Sequence, residues 1–289
     1  MFSGIGTALV TPMNRDGSVD EEALRRLVDF QEENGVDMLL PCGSTGEAAT
    51  LSSEEHLKVI KIVVDQAKKA KVIAGAGSNC TREAVELSSK AADYGADGLL
   101  SISPYYVKPT QEGIYRHYEA IAKAADLPII IYNVPGRTGS NITAETEIRM
   151  ASIPNIAGVK EASGNIEQIQ AILAKRPEGF TVLSGDDSMT YDVMCSGGHG
   201  VFSVVSNCLP KQCSEMVHCL QNGNRDRARE LNNQLMPIFK GAFIESNPIP
   251  IKYIMAKMGF GTNTLRLPLT PLSKENAEKI DEMIAQYGL

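Results

Sequence analysis

Gly98–Asn133 reads GLLSISPYYVKPTQEGIYRHYEAIAKAADLPIIIYN. Two short apolar runs, Gly98–Ile102 and Pro128–Asn133, enclose an amphipathic stretch, Gln111–Ala125, that follows a suitable N-cap in Thr110. Strand, helix, strand is the signature of a βα unit in a parallel sheet. Working outward, similar runs occur before it at Ile5–Val10, Met38–Cys42 and Val72–Ala76, and after it at Ile156–Lys160, Thr181–Ser184 and Gly200–Val204. With the two already named, they predict eight strands. Their near-continuous hydrophobicity, without clean alternation, fits strands covered on both faces. Eight strands each followed by a helix predict a (β/α)8 TIM barrel in preference to an open doubly wound sheet, and the chain has no GxGxxG fingerprint.

Helix signals fall where a barrel needs them. Ser52-x-x-Glu55 reads as a capping box before Leu57–Ala67, and Asn165-x-x-Gln168 as a second before Ile169–Ala174. Asp20 is the expected cap of Glu21–Glu33, which runs out at Asn34-Gly35. After Val204 only helices are predicted, at Lys211–Gln221, Asp226–Phe243, Pro250–Met258 and Lys274–Tyr287. The first would close the barrel, giving a barrel over residues 1–224 and a C-terminal helical extension over 225–289.

The totals suit this reading. A chain of 289 residues is the size of one barrel with a modest extension. No apolar segment is long enough to span a bilayer, and the N-terminal MFSGIGTALVTP lacks the basic start of a signal peptide, so a cytoplasmic protein is expected. A formal net charge of −7 argues against nucleic acid as a partner. The six cysteines contain no CxxC pair and the four histidines no HExxH pattern, so neither disulfides nor a catalytic metal is expected.

In such a barrel the site lies at the C-terminal ends of the strands. Lys160 ends IAGVK, where desolvation would free its amine to attack a carbonyl; read alone, its position favours a lysine that snorkels to water. Tyr132 ends the neighbouring strand, within reach as a proton donor and acceptor, or else packs as a rim aromatic. Gly43-Ser44-Thr45-Gly46 is either an ordinary turn or one whose amides and hydroxyls converge on a small carboxylate. Arg137, after Pro135-Gly136, is either a surface arginine or a fork for a second carboxylate.

Taken together, GSTGE (Gly43–Glu47), SPYY (Ser103–Tyr106), YNVPGRTG (Tyr132–Gly139), VKEA (Val159–Ala162), SGDD (Ser184–Asp187) and NPIP (Asn247–Pro250) resemble the dihydrodipicolinate synthase/N-acetylneuraminate lyase family over essentially the whole chain. Arg137 and Tyr106 point to the synthase branch. Ser44-Thr45, where synthases usually carry Thr-Thr, is the form familiar from the lyases and does not separate the two.

The resemblance implies an enzyme that condenses pyruvate with aspartate semialdehyde through a Schiff base and needs no cofactor. Lys160 would be the Schiff-base lysine and Tyr132, Ser44 and Tyr106 the proton relay. Thr45 would contact the pyruvate carboxylate and Arg137 the second substrate, with Gly185 and Phe202 lining the site through backbone groups. It further implies a homo-oligomer, a tetramer built as a dimer of dimers, in which Tyr106 reaches into the neighbouring subunit's site. A lysine effector would bind at Ala49, His56, Asn79, Glu83 and Tyr105. The alternatives are another pyruvate aldolase or lyase acting on a sugar acid or hydroxy-oxo acid, and a non-catalytic barrel that senses pyruvate or lysine.

Overall fold

The computed structural model describes residues 2–289. Eight parallel strands follow one another round a closed barrel: β1 (Gly4–Ala8), β2 (Met38–Leu40), β3 (Lys71–Gly75), β4 (Gly98–Ile102), β5 (Ile129–Asn133), β6 (Ile156–Glu161), β7 (Thr181–Ser184) and β8 (Gly200–Ser203). Closure is made by β8 on β1, with Ile5 opposite Val201 and Gly6 opposite Phe202. At Gly6 an added Cβ would stand 2.5 Å from the Phe202 ring, so only glycine admits that aromatic into the interior.

The side-chain alternation of the strands builds two apolar layers. Ala8, Met38, Leu40, Ile73, Leu100, Ile130, Leu183 and Phe202 fill the barrel interior. Ile5, Leu39, Val72, Leu99, Ile131, Val159 and Val182 face outward and pack under the helices. Both faces are therefore apolar, which is why the strands read as unbroken runs rather than as alternation.

The helices are α1 (Glu21–Glu33), α2 (Ser53–Gln66), α3 (Thr81–Asp93), α4 (Gln111–Ala124), α5 (Pro135–Thr138), α6 (Ala144–Met150), α7 (Ile166–Lys175), α8 (Thr190–Cys195), α9 (Pro210–Gln221), α10 (Arg225–Gly241), α11 (Ile249–Lys257) and α12 (Lys274–Tyr287). Asp20 caps α1 through the Ala23 N–H and Thr110 caps α4 through the Gly113 N–H, as expected. Ser52 and Glu55 form the reciprocal box at α2.

The second box is only half made. Asn165 accepts from the Glu167 and Gln168 N–H groups, but the Gln168 amide turns away to donate to Glu161 at 3.2 Å and to the Ile142 carbonyl at 3.1 Å. A buried carboxylate outcompetes the exposed cap backbone for that amide.

β4 and β7 have the expected bounds, and the other strands differ by one or two residues at one or both ends. β2 stops at Leu40 because Cys42 takes a positive φ of 56°, turning the chain into the Gly43–Glu47 loop.

The C-terminal segment packs back onto the barrel mouth. Lys252 and Glu47 form a buried ion pair, with Lys252 also donating to the Thr264 carbonyl at 2.7 Å. Arg266 grips Glu55 with both terminal nitrogens and donates its backbone N–H toward Glu47 at 3.4 Å. Both oxygens and the ammonium of the inner pair thus have partners, the condition under which a buried ion pair is tolerated.

Candidate active site

Lys160 and Tyr132 are register partners on β6 and β5, both pointing into the barrel. The lysine is 5% exposed, and its Nζ lies 4.3 Å from the Tyr132 ring centre and 5.6 Å from that of Phe202. Burial drives the amine pKa down to about 7; the Asp187 carboxylate works against that shift and the Arg137 guanidinium reinforces it. At neutral pH a large fraction is therefore the free, nucleophilic amine, and the snorkelling reading falls.

Gly185 makes the space. A Cβ there would approach the Lys160 Cγ and Cε at 3.2 Å and the Ala162 Cβ at 2.7 Å. The Phe202 ring, turned inward by β8, stands over the lysine.

Burial pushes the Tyr132 phenol upward, partly opposed by the positive charge of Arg137 and by the neighbouring Ser44 hydroxyl. The phenol thus keeps its proton at neutral pH and stands next to Ser44. Ser44 and Thr45 sit in the loop after β2, whose N–H groups are mostly consumed locally: Gly46 and Ala48 donate to Gly43 and Glu47 donates to Ser44. Among the described residues the Gly43, Ser44 and Thr45 amides of this turn lack a partner while that of Gly46 is taken, so the anion cradle is narrower than the motif suggested.

Arg137 is carried on α5, a single turn opened by Pro135 and closed by Gly139 at φ 79°. Its guanidinium donates to the Asn247 carbonyl at 3.0 Å, while the Asn247 amide donates to the Thr45 hydroxyl at 2.9 Å. Asn247 therefore ties together the two residues expected to hold carboxylates. It escaped the sequence reading as anything but part of NPIP, since it comes from the extension, 110 residues from Arg137 and 202 from Thr45.

Asp187 closes SGDD, a stretch that assigns it no role by itself. It is 3% exposed, and burial lifts its pKa to about 6 against hydrogen bonds from Ser203 and the Val204 and Val205 N–H groups. Above that pH it is a carboxylate near the lysine and can balance positive charge formed there.

Ser44, Thr45, Tyr132, Arg137, Lys160 and Gly185 share one cavity of about 140 Å³, space for a ligand of a few non-hydrogen atoms. Tyr106 is not brought to it. Its side chain is 86% exposed, its φ is 71°, and its backbone N–H is pinned to the Thr138 carbonyl at 3.0 Å, beside Arg137. No group of His, Cys, Asp and Glu among the described residues has a metal-holding arrangement.

A second cavity, of about 430 Å³, adjoins the first and shares Ser44, Tyr132, Arg137 and Asn247 with it. Ala49, His56, Glu83 and Tyr105 line it. Asn79 does not; its amide supports the Tyr105 carbonyl from behind at 3.2 Å. Burial lowers the pKa of His56, against a hydrogen bond with the Gly75 carbonyl and the charge of Glu83.

A family model described as the dihydrodipicolinate synthetase family matches residues 1–287. The 4-hydroxy-tetrahydrodipicolinate synthase of Chloroherpeton thalassium is 52% identical over 290 residues, covering 100% of this chain and 96% of the relative. Among solved structures, dihydrodipicolinate synthase from Aquifex aeolicus superposes with a TM-score of 0.98 at 45% identity, covering 100% of this chain and 99% of the other. The enzyme from Cyanidioschyzon merolae with lysine bound gives 0.97 at 40% identity, with 100% and 99% covered.

Proposed function

The chain belongs to the dihydrodipicolinate synthetase family, and from that premise we infer that it condenses pyruvate with L-aspartate 4-semialdehyde to 4-hydroxy-tetrahydrodipicolinate, in lysine and diaminopimelate biosynthesis, through a Schiff base on Lys160. The observation that carries the mechanism is the buried Lys160 amine, close to neutrality in its titration, facing the Tyr132 phenol across one ladder pair.

The Lys160 amine attacks the ketone of pyruvate, and loss of water gives the imine, with Tyr132 supplying and recovering the proton. Thr45 and the free amides of the Ser44–Thr45 turn receive the pyruvate carboxylate. The protonated imine is an electron sink, balanced by the Asp187 carboxylate, so C3 loses a proton to give the enamine. The enamine carbon attacks the aldehyde of aspartate semialdehyde, whose carboxylate Arg137 holds. The substrate's own amine then displaces Lys160 by transimination, closing the ring and freeing the enzyme. Nothing in this sequence of steps requires a cofactor. Arg137 at the mouth suits a short carboxylated aldehyde better than a long sugar acid.

The working enzyme is cytoplasmic and a homo-oligomer, a dimer of dimers. Tyr106 and Val107 project from the surface at 86% and 56% exposed, and a relay role for this tyrosine needs a neighbouring subunit to receive it. Lysine is its effector, bound in the larger cavity, where Glu83 meets the ammonium and Tyr105 and His56 form polar walls. A coupled assay tests the reading: cyclic product should form from pyruvate and aspartate semialdehyde but not from pyruvate and a sugar aldehyde. The reverse preference would assign the chain to the lyase chemistry.

A further inference from the structure

On the outer faces of β5 and β6, behind the proposed catalytic pair, lies a polar cluster that the chemistry above does not use. Ile131 and Val159 belong to the layer beneath the helices, so two residues on, Asn133 and Glu161 also turn outward while Tyr132 and Lys160 turn in. The ladder pairs Tyr132 with Lys160 and Asn133 with Glu161. Tyrosine and lysine therefore stand back to back with asparagine and glutamate at the strand ends.

The outer pair is locked. The Asn133 amide donates to both Glu161 oxygens at 3.1 and 3.3 Å and to the Asn141 side chain at 2.8 Å, and its oxygen accepts from the Ile142 N–H at 3.1 Å. Glu161 also receives the Ser163 N–H at 2.7 Å and the Gln168 amide at 3.2 Å. The lock matters because the β5–β6 ladder is irregular between Ile129 and Ile130. An interrupted ladder fixes register less firmly, leaving the strand ends to be set by side chains.

Glu147 on α6 completes the cluster. It is fully buried, no donor reaches either carboxyl oxygen, and its neighbour is the Glu161 carboxylate. The other titratable group facing it is Tyr118, whose hydroxyl donates to the Ser101 carbonyl at 2.7 Å. A carboxyl so placed holds its proton, and the Glu161 side chain is an acceptor for it.

We propose that Glu147 and Glu161 form a positioning pair for the condensation, in which the Glu147 O–H fixes the Glu161 carboxylate, this fixes Asn133, and the two outward side chains set the separation of the Tyr132 phenol and the Lys160 amine on the opposite face. The role rests on the reading of Lys160 and Tyr132 given above. Neither glutamate touches substrate; both act through the strands.

The test is the single-turnover rate of imine formation with pyruvate, trapped by borohydride and read by intact mass, alongside thermal unfolding of the free protein. Glu147→Gln keeps an N–H donor for Glu161 and should form the imine near the unsubstituted rate. Glu147→Met removes the donor at similar volume. It should slow imine formation by about 10- to 100-fold with pyruvate KM little changed, since misplacement by about 1 Å carries that cost. Its unfolding temperature should not fall, because an apolar group replaces a buried acid. A folded methionine variant as fast as the unsubstituted protein, or a glutamine variant as slow as the methionine one, overturns the proposal. Should Glu147→Met not fold, Glu161→Gln decides it: a slowed imine supports the pair and an unchanged rate overturns it. An unsubstituted protein that forms no imine would overturn the role of Lys160, and the positioning role with it.

Discussion

Replacing Lys160 by methionine should abolish activity and at the same time make the protein more stable. Burying an amine whose pKa falls from 10.5 to about 7 means that the folded state binds fewer protons than the unfolded state between those values. The sign follows. Stability lost to this lysine is greatest at and below about pH 7 and is recovered as pH rises toward 10.5. At about 1.4 kcal/mol per unit, the penalty is roughly 4 kcal/mol at pH 7 and about 1 kcal/mol at pH 9.5. Methionine has no such penalty and fills a similar volume against Tyr132 and Phe202. One opposing effect trims the gain, because Asp187 loses a positive neighbour and stays a buried carboxylate. Urea unfolding of both proteins at pH 7 and pH 9.5 measures the difference. Lys160→Met should be more stable by several kcal/mol at pH 7, with the gap shrinking by roughly 3 kcal/mol at pH 9.5. A methionine variant no more stable at pH 7, or a gap that does not change with pH, would refute the claim that the amine is held desolvated.

Arg137→Ala should raise the KM for aspartate semialdehyde by roughly 30- to 150-fold, the cost of about 2–3 kcal/mol for a charge-assisted contact, with a much smaller effect on pyruvate. The same change should move the midpoint of imine formation, which rises with pH through about 7, to higher pH, because a charge that lowers the lysine pKa is gone; an unmoved midpoint would count against the assignment. Inactive Tyr106→Phe and Lys160→Ala proteins, mixed and allowed to exchange subunits, should recover part of the activity; none in demonstrably mixed dimers would place Tyr106 outside the relay. Lysine should inhibit partially and without competing with pyruvate, and Glu83→Ala should abolish that inhibition while keeping most activity; inhibition that survives the change would move the effector elsewhere.

The barrel was legible because each strand is apolar on both faces and bounded by turn residues, so Gly98–Asn133 already contains the repeating unit. That Lys160, Tyr132 and Arg137 would come together in one cavity was legible because strand ends in a barrel mark the mouth. What escaped were the partners supplied from far along the chain. Asn247 reaches Thr45 and Arg137 only once the extension folds over the mouth, and Glu147 meets Glu161 only once α6 is folded in beside α4 and α7. The second capping box failed for the same reason, as Gln168 found a buried carboxylate that local spacing does not reveal. The short helices α5, α6 and α8 carry too few turns to show a period.

The central claim is that Lys160 forms the Schiff base. Pyruvate followed by borohydride should add one reduced three-carbon unit to the protein, and peptide mass spectrometry should map it to Lys160, with no adduct in Lys160→Met. An adduct on another lysine, or none at all under conditions of full activity, would contradict the account.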